Sequence, residues 1–138
     1  MKRLTHIDWG LLILRAGYAT LLFVLHGHAR LIRAYAYAVH GQPWSFVPIV
    51  AKLGFPMPGL FAVMSAASES IGAVLIGLGI YTRAGAAMMA LNMTVALYSE
   101  LHKGDPYELP ALYLLGALTL VMLGGGDIAV DRLWQRQR

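Results

Sequence analysis

The sequence predicts an all-α fold: a four-helix transmembrane bundle with a short interfacial helix between the first and second helices. Three observations carry this expectation. Hydrophobic residues make up 58% of the 138-residue chain and charged residues only 13%, against roughly 25% charged in an ordinary soluble domain. Four apolar segments reach the length needed to cross a hydrocarbon core, about 17 to 25 helical residues. The 15 glycines and 7 methionines allow close helix approach and flexible filling of gaps. Together the segments are expected to form one membrane domain over residues 1–138.

The first helix is expected from about Trp9 to Leu31, ending in the unusually polar "LLFVLHGHARLIR". The second, about Gly59 to Tyr81, follows the helix-initiating "FPMPG" and stops at "YTR". The third, about Ala84 to Leu101, comes after almost no loop, which makes it the second arm of a tight antiparallel hairpin. The fourth, about Glu108 to Gly125, has Pro110 where a helix tolerates it and closes on "GGGD". Between the first two, Ile32 to Pro58 contains "PWSFVPIVAKLGFP", whose Trp44, Phe46, Val47, Ile49, Val50 and Leu53 suit a short helix lying in the interface. An irregular loop packed on the bundle is the alternative. Lys2 and Arg3 before an apolar run, with "AYA" at Ala34 to Ala36, imitate a signal peptide. Arg15 interrupts that run and three more hydrophobic segments follow, so the first helix is expected to be retained.

The net charge is +4 and the pI near 9.6, yet the cations sit at the edges of apolar runs. That placement argues against nucleic acid and for anionic lipid headgroups as the counter-charge. Six of them, Lys2, Arg3, Arg83, Arg132, Arg136 and Arg138, fall on one side of the expected bundle and four, Arg30, Arg33, Lys52 and Lys103, on the other. By the positive-inside rule both termini are expected to be cytoplasmic. The chain has no cysteine, which excludes disulfides, thiol redox chemistry and cysteine-held metals or clusters. Any redox role therefore needs a borrowed cofactor.

Ionisable residues inside apolar spans are costly and mark sites or structural pairs. At 100° per residue, Arg15, Leu22, His26 and Arg33 lie within about 20° of one line and Arg30 about 60° from it, a polar stripe that leaves His28 on nearly the opposite side. Glu69 is central in the second helix, so it must face the bundle. Arg15, the one cation inside a span, is its expected partner in a structural ion pair. Glu100, His102 and Glu108 are expected at the depth of His26 and Arg30, either gathered around a cavity or forming a solvated turn. His26, Glu69, Glu100, His102 and Arg30 are thus the candidate ligand-binding residues, with His26 rather than His28 lining the cavity. Asn92, mid-span in the third helix, is expected to make an interhelical hydrogen bond. Small residues along the second helix, such as Ser68 with Gly72 and Ala73 with Gly77, predict close packing around Glu69.

In "LHGHARL", "LGFPMPGL", "ESIGAVLIGLGIYTRAGA", "ELHKG" and "GGGDIAVDRL", in that order and spacing, the chain resembles the DoxX family of small bacterial and archaeal membrane proteins. The resemblance implies a four-helix protein of the cytoplasmic membrane, in a family some of whose members are subunits of quinone-reactive oxidoreductases. It departs at Gly124-Gly125-Gly126, where a Gly-Pro-Gly is common in the family. Three functions follow as expectations. The first is a quinone-interacting subunit of a respiratory redox complex, with His26, Glu69, Glu100 and His102 exchanging protons at the ring and electrons supplied by a partner. The second is a non-enzymatic anchor or assembly factor for soluble redox partners. The third, a small proton-coupled permease using Glu69, requires an oligomer to build two gates. Haem between His26 and His102 is the least favoured cofactor, and no metal site is expected.

Overall fold

The computed structural model describes residues 4–135. Lys2, Arg3, Arg136 and Arg138, four of the cations counted for orientation, lie outside the described residues. The described chain is all-helical: α1 (His6–His40), α2 (Phe46–Lys52), α3 (Pro58–Leu78), α4 (Thr82–Lys103), α5 (Glu108–Leu123) and α6 (Val130–Gln135). Two of these, α1 and α3, are long and apolar enough to cross a membrane. Helix α5 is apolar but has only 16 residues, and α4 carries Arg83, Glu100 and Lys103.

Helix α1 differs most from expectation, starting three residues earlier and ending nine later. Its start is fixed by a capping box: Thr5 Oγ1 accepts from Asp8 N at 3.4 Å and the Asp8 carboxylate accepts from Thr5 N at 2.8 Å. The charges at Arg30 and Arg33 do not stop it, because charge does not end a helix. Gly41 does, adopting a left-handed φ of 64° while Gly41 N and Gln42 N donate to Tyr37 O and Ala36 O. At 1.5 Å per residue α1 is about 52 Å long, well beyond a hydrocarbon core of about 30 Å. Residues Phe23–Gly27 form a π turn within it. One such turn accommodates roughly one extra residue and rotates everything beyond it by about 100°. Arg33 is thereby turned off the stripe into exposure.

The segment expected to lie at the interface does form a helix, α2, although of only seven residues. Helices α3 and α4 form the tight hairpin, α3 stopping at Gly79 (φ 73°) and α4 starting after Tyr81. Helix α5 ends two residues early, at Gly124, and α6 was not anticipated. It is tied to the hairpin turn by Asp131 N donating to Gly79 O at 3.1 Å.

Two apolar cores result. The larger joins Leu11, Tyr18 and Leu22 of α1 to Ala73 and Ile76 of α3, Ala86, Met89 and Met93 of α4, and Ala117 and Leu120 of α5. The smaller packs Ala34 of α1, Trp44 and Val50 of the connection, and Ala62 and Ala66 of α3, with Phe46, Phe55 and Phe61 around them. Axial register between α1 and α3 is set by glycine contacts. Gly27 lies so close to α3 that a Cβ there would stand 3.0 Å from Glu69 O, and Ser70 Oγ donates to Gly27 O at 2.8 Å. Further along, Ala19 faces Gly77 and Arg15 faces Gly79.

That register corrects the expected Arg15–Glu69 pair. The α1 residue at the depth of Glu69 is Gly27, and Arg15 lies 12 residues earlier, about 18 Å along the axis. The expected pairing centred α1 on residues 9–31 and so placed Arg15 too near the middle of α3.

Candidate functional site

Glu69 projects from α3 and is 4% exposed. Its Oε1 accepts from Arg30 Nη1 at 2.5 Å and from Asn92 Nδ2 at 3.0 Å, so one carboxylate oxygen connects α1, α3 and α4. Oε2 is buried and makes no hydrogen bond within the described residues. The Arg30 guanidinium lies 4.8 Å above the centre of the Phe46 ring, which ties α2 to the same cluster by a cation–π contact. Arg30 serves here where Arg15 was expected: the π turn changes its angle on α1, and its axial position is right.

The cluster borders a cavity of about 440 Å³. Arg30, Glu69, Asn92, Ser68 and Ser99 supply the polar lining, while Phe46, Phe55, Phe61, Met64, Leu91 and Val95 supply apolar walls from α2, α3 and α4. Glu100 and Lys103 also line it and pair with each other at 3.3 Å. The volume and the few convergent polar groups are those of a small-molecule site.

Of the five expected ligand residues, Glu69, Arg30 and Glu100 meet at this cavity. His26 does not line it. Half-buried in the π turn, it sits edge-on to Tyr113 of α5 at 6.4 Å between ring centres, because a stripe extrapolated at 100° per residue fails where the helix is no longer α. His102 is exposed at the end of α4, its ring 4.0 Å from Tyr98 and its Nδ1 3.0 Å from Tyr98 O. The expectation that His26 shares a cavity with Glu100 or His102 is therefore not met. Glu108 is exposed, and His28 is exposed with Nδ1 3.2 Å from Phe23 O. Asn92 makes the interhelical hydrogen bond expected of it and also lines the cavity. Sequence reasoning missed Ser68, Ser99 and the contribution of α2; the aromatic content of Trp44 to Phe61 was the available signal.

The DoxX family profile matches residues 10–100. The chain belongs to the DoxX family. The matched stretch takes in "LHGHARL", "LGFPMPGL" and "ESIGAVLIGLGIYTRAGA" and ends before "GGGDIAVDRL". It contains Arg30, Glu69 and Asn92, and all the residues that line the cavity except Lys103. No curated protein and no solved structure matches the chain. Family and apolar helices together make this DoxX chain a membrane-associated protein.

Chemically the DoxX cavity offers a carboxylate held in place by two donors, a guanidinium with donors to spare, and a side-chain amide. A carboxylate only accepts and a guanidinium only donates. Such a set can orient a compact ligand bearing carbonyl or hydroxyl oxygens, with apolar walls excluding water from around it.

Proposed function

We propose that this DoxX chain is the quinone-interacting membrane subunit of a redox complex in a bacterial or archaeal cytoplasmic membrane. It crosses the bilayer with α1, α3, α4 and α5 as one domain, α2 lies at the interface, and both termini are cytoplasmic. The observation that carries the reading is the Arg30–Glu69–Asn92 cluster bordering a cavity with aromatic and methionine walls. A quinone needs this combination: hydrogen-bonding groups at its oxygens, an apolar slot for its ring, and an opening for its tail. Arg30 and Asn92 hold the ring oxygens, Glu69 fixes Arg30, and Glu100 with Lys103 flanks the cavity. Without cysteine, the electrons come from a partner protein bound to the membrane subunit.

The test is quinone retention by full-length protein in lipid nanodiscs, with decylubiquinone and a short-tailed menaquinone as probes. Wild type binds either with micromolar affinity, and Asn92→Ala or Glu69→Gln weakens binding about tenfold or more, as expected for losing hydrogen bonds at a charged site. Equal binding by wild type and both variants removes the reading.

A second reading, a non-enzymatic anchor or assembly factor, draws support from the same cluster. Oε1 of Glu69 is already satisfied by Arg30 and Asn92 within the chain, so the cluster can serve as a lock on three helices. Co-purification of a stoichiometric soluble partner without quinone favours it.

A further inference from the structure

A second recess adjoins the cavity and contains none of the Arg30–Glu69–Asn92 cluster. Its volume is about 290 Å³, and Leu53, Phe55, Thr94, Val95 and Tyr98 line it. Leu53, Phe55 and Val95 also line the cavity. The two spaces therefore lie on either side of the same three side chains.

Helix geometry explains why they are neighbours. Asn92 and Ser99 of α4 line the cavity, Thr94 and Tyr98 line the recess, and at 100° per residue the two pairs project about 130° apart with Val95 between them. On the other wall, Gly54 takes a φ of 85° between Leu53 and Phe55, a turn that lets both flanking side chains border both spaces. The walls are braced by neighbouring rings. Phe55 packs on Phe61 with ring centres 4.6 Å apart, and Tyr98 lies 4.0 Å from the His102 ring.

The recess differs from the cavity in chemistry. Where the cavity presents a guanidinium, carboxylates and an amide, the recess has no charged or amide group. The Thr94 hydroxyl is already used, Oγ1 donating to Ala90 O at 2.8 Å within its own helix. Thr94 and Tyr98 are both exposed, so the outer edge of the recess opens on the surface of the bundle. A polar space and an apolar one separated by three shared side chains suit a ligand with a polar head and an apolar chain.

We infer that this recess receives the apolar tail, isoprenoid or alkyl, of the molecule whose ring occupies the cavity. The inference rests on the quinone reading above and adds the path of the chain: past Leu53, Phe55 and Val95, along Thr94 and Tyr98, and out into the hydrocarbon. A lipid acyl chain has the same chemistry, but nothing ties it to the cavity, whereas a tail attached to a ring beside Asn92 must leave through a wall. The shared residues mark which wall.

The test uses full-length protein in nanodiscs and three probes: tail-less 2,3-dimethoxy-5-methylbenzoquinone, decylubiquinone, and a decylubiquinone analogue with a diazirine at the far end of its tail. Photolysis of the analogue labels α4 at Thr94 or Tyr98, and excess decylubiquinone suppresses the label. Thr94→Trp fills the recess and weakens decylubiquinone binding about fivefold, the modest loss expected when a chain exchanges protein contacts for lipid ones. Binding of the tail-less ring is the same in wild type and Thr94→Trp. Labelling confined to residues outside the recess, with ring binding intact, overturns the inference and leaves the quinone reading standing. Labelling of Tyr98 by a diazirine-bearing phosphatidylcholine that decylubiquinone does not displace also overturns it, assigning the recess to lipid. Failure of both quinones to bind wild type removes the reading and the inference together.

Discussion

Arg30 and Arg15 lie on one helix, 15 residues apart, and their surroundings are opposites. Arg30 is 37% exposed by its side chain, ion-paired with Glu69 and stacked on Phe46 beside an open cavity. Arg15 is 2% exposed, has no acidic partner among the described residues and lies against Gly79, Gly125 and Ala129. The difference follows from the packing residues. Aromatic side chains of α2, α3 and the segment between them wall the cavity, whereas glycines at the α3–α4 turn and in the Gly124–Gly126 loop bring backbones together around the guanidinium. The buried carboxylate at the aromatic end has a cation as partner, whereas the guanidinium at the glycine end has no ion-pair partner among the described residues.

The comparison breaks most severely at Gly79. Alanine there must adopt φ 73° and place its Cβ on Arg15 and Ala129, combining left-handed strain with overpacking. A loss of about 3 to 4 kcal/mol is expected, measured by reversible unfolding in mixed micelles. A loss below about 1 kcal/mol would show that the turn relaxes and the glycine end is not tightly packed.

Next in size is the ion pair. Arg30→Met leaves Glu69 buried with Asn92 as its remaining partner. It should cost about 3 kcal/mol, the low end for breaking a buried pair, since Arg30 is partly exposed. Combining Arg30→Met with Glu69→Leu should recover most of that loss in a double-mutant cycle. Arg15→Met should cost far less than Arg30→Met, since it removes a charge with no acidic partner among the described residues. Equal costs would erase the distinction between the two ends.

Smaller effects sharpen the picture. Phe46→Ala removes the cation–π contact and one cavity wall, with an expected loss of about 1 to 2 kcal/mol for a half-buried ring. Probe binding in the cavity should fall with it. Gly41→Ala adopts φ 64° with nothing within 4 Å of the new Cβ, so it should cost only the left-handed strain, about 1 kcal/mol. The gap between Gly79→Ala and Gly41→Ala therefore measures how much of the glycine end is packing rather than backbone conformation.

Much of the site was legible. An acid in the middle of an apolar run must face inward, and Glu69 does; an asparagine at mid-span must find a partner helix, and Asn92 does. His26 was misjudged because it was placed by extrapolating an ideal helix, and His102 because it was placed by depth alone. The π turn at Phe23–Gly27 leaves no mark in a hydrophobic pattern, and it is there that His26 lies.

By itself the sequence determined that the main apolar segments are helical and which mid-span polar residues must be buried. These are local properties: apolar length and the cost of leaving Glu69 in an apolar face. Tertiary structure alone decided the partners. Periodicity fixes the angle of a side chain about its own helix, but the axial register between two helices depends on which small residues meet, here Gly27 against Ser70 and Ala19 against Gly77. A shift of a few residues would have joined Glu69 to a different cation, which is why Arg30 holds it and Arg15 does not.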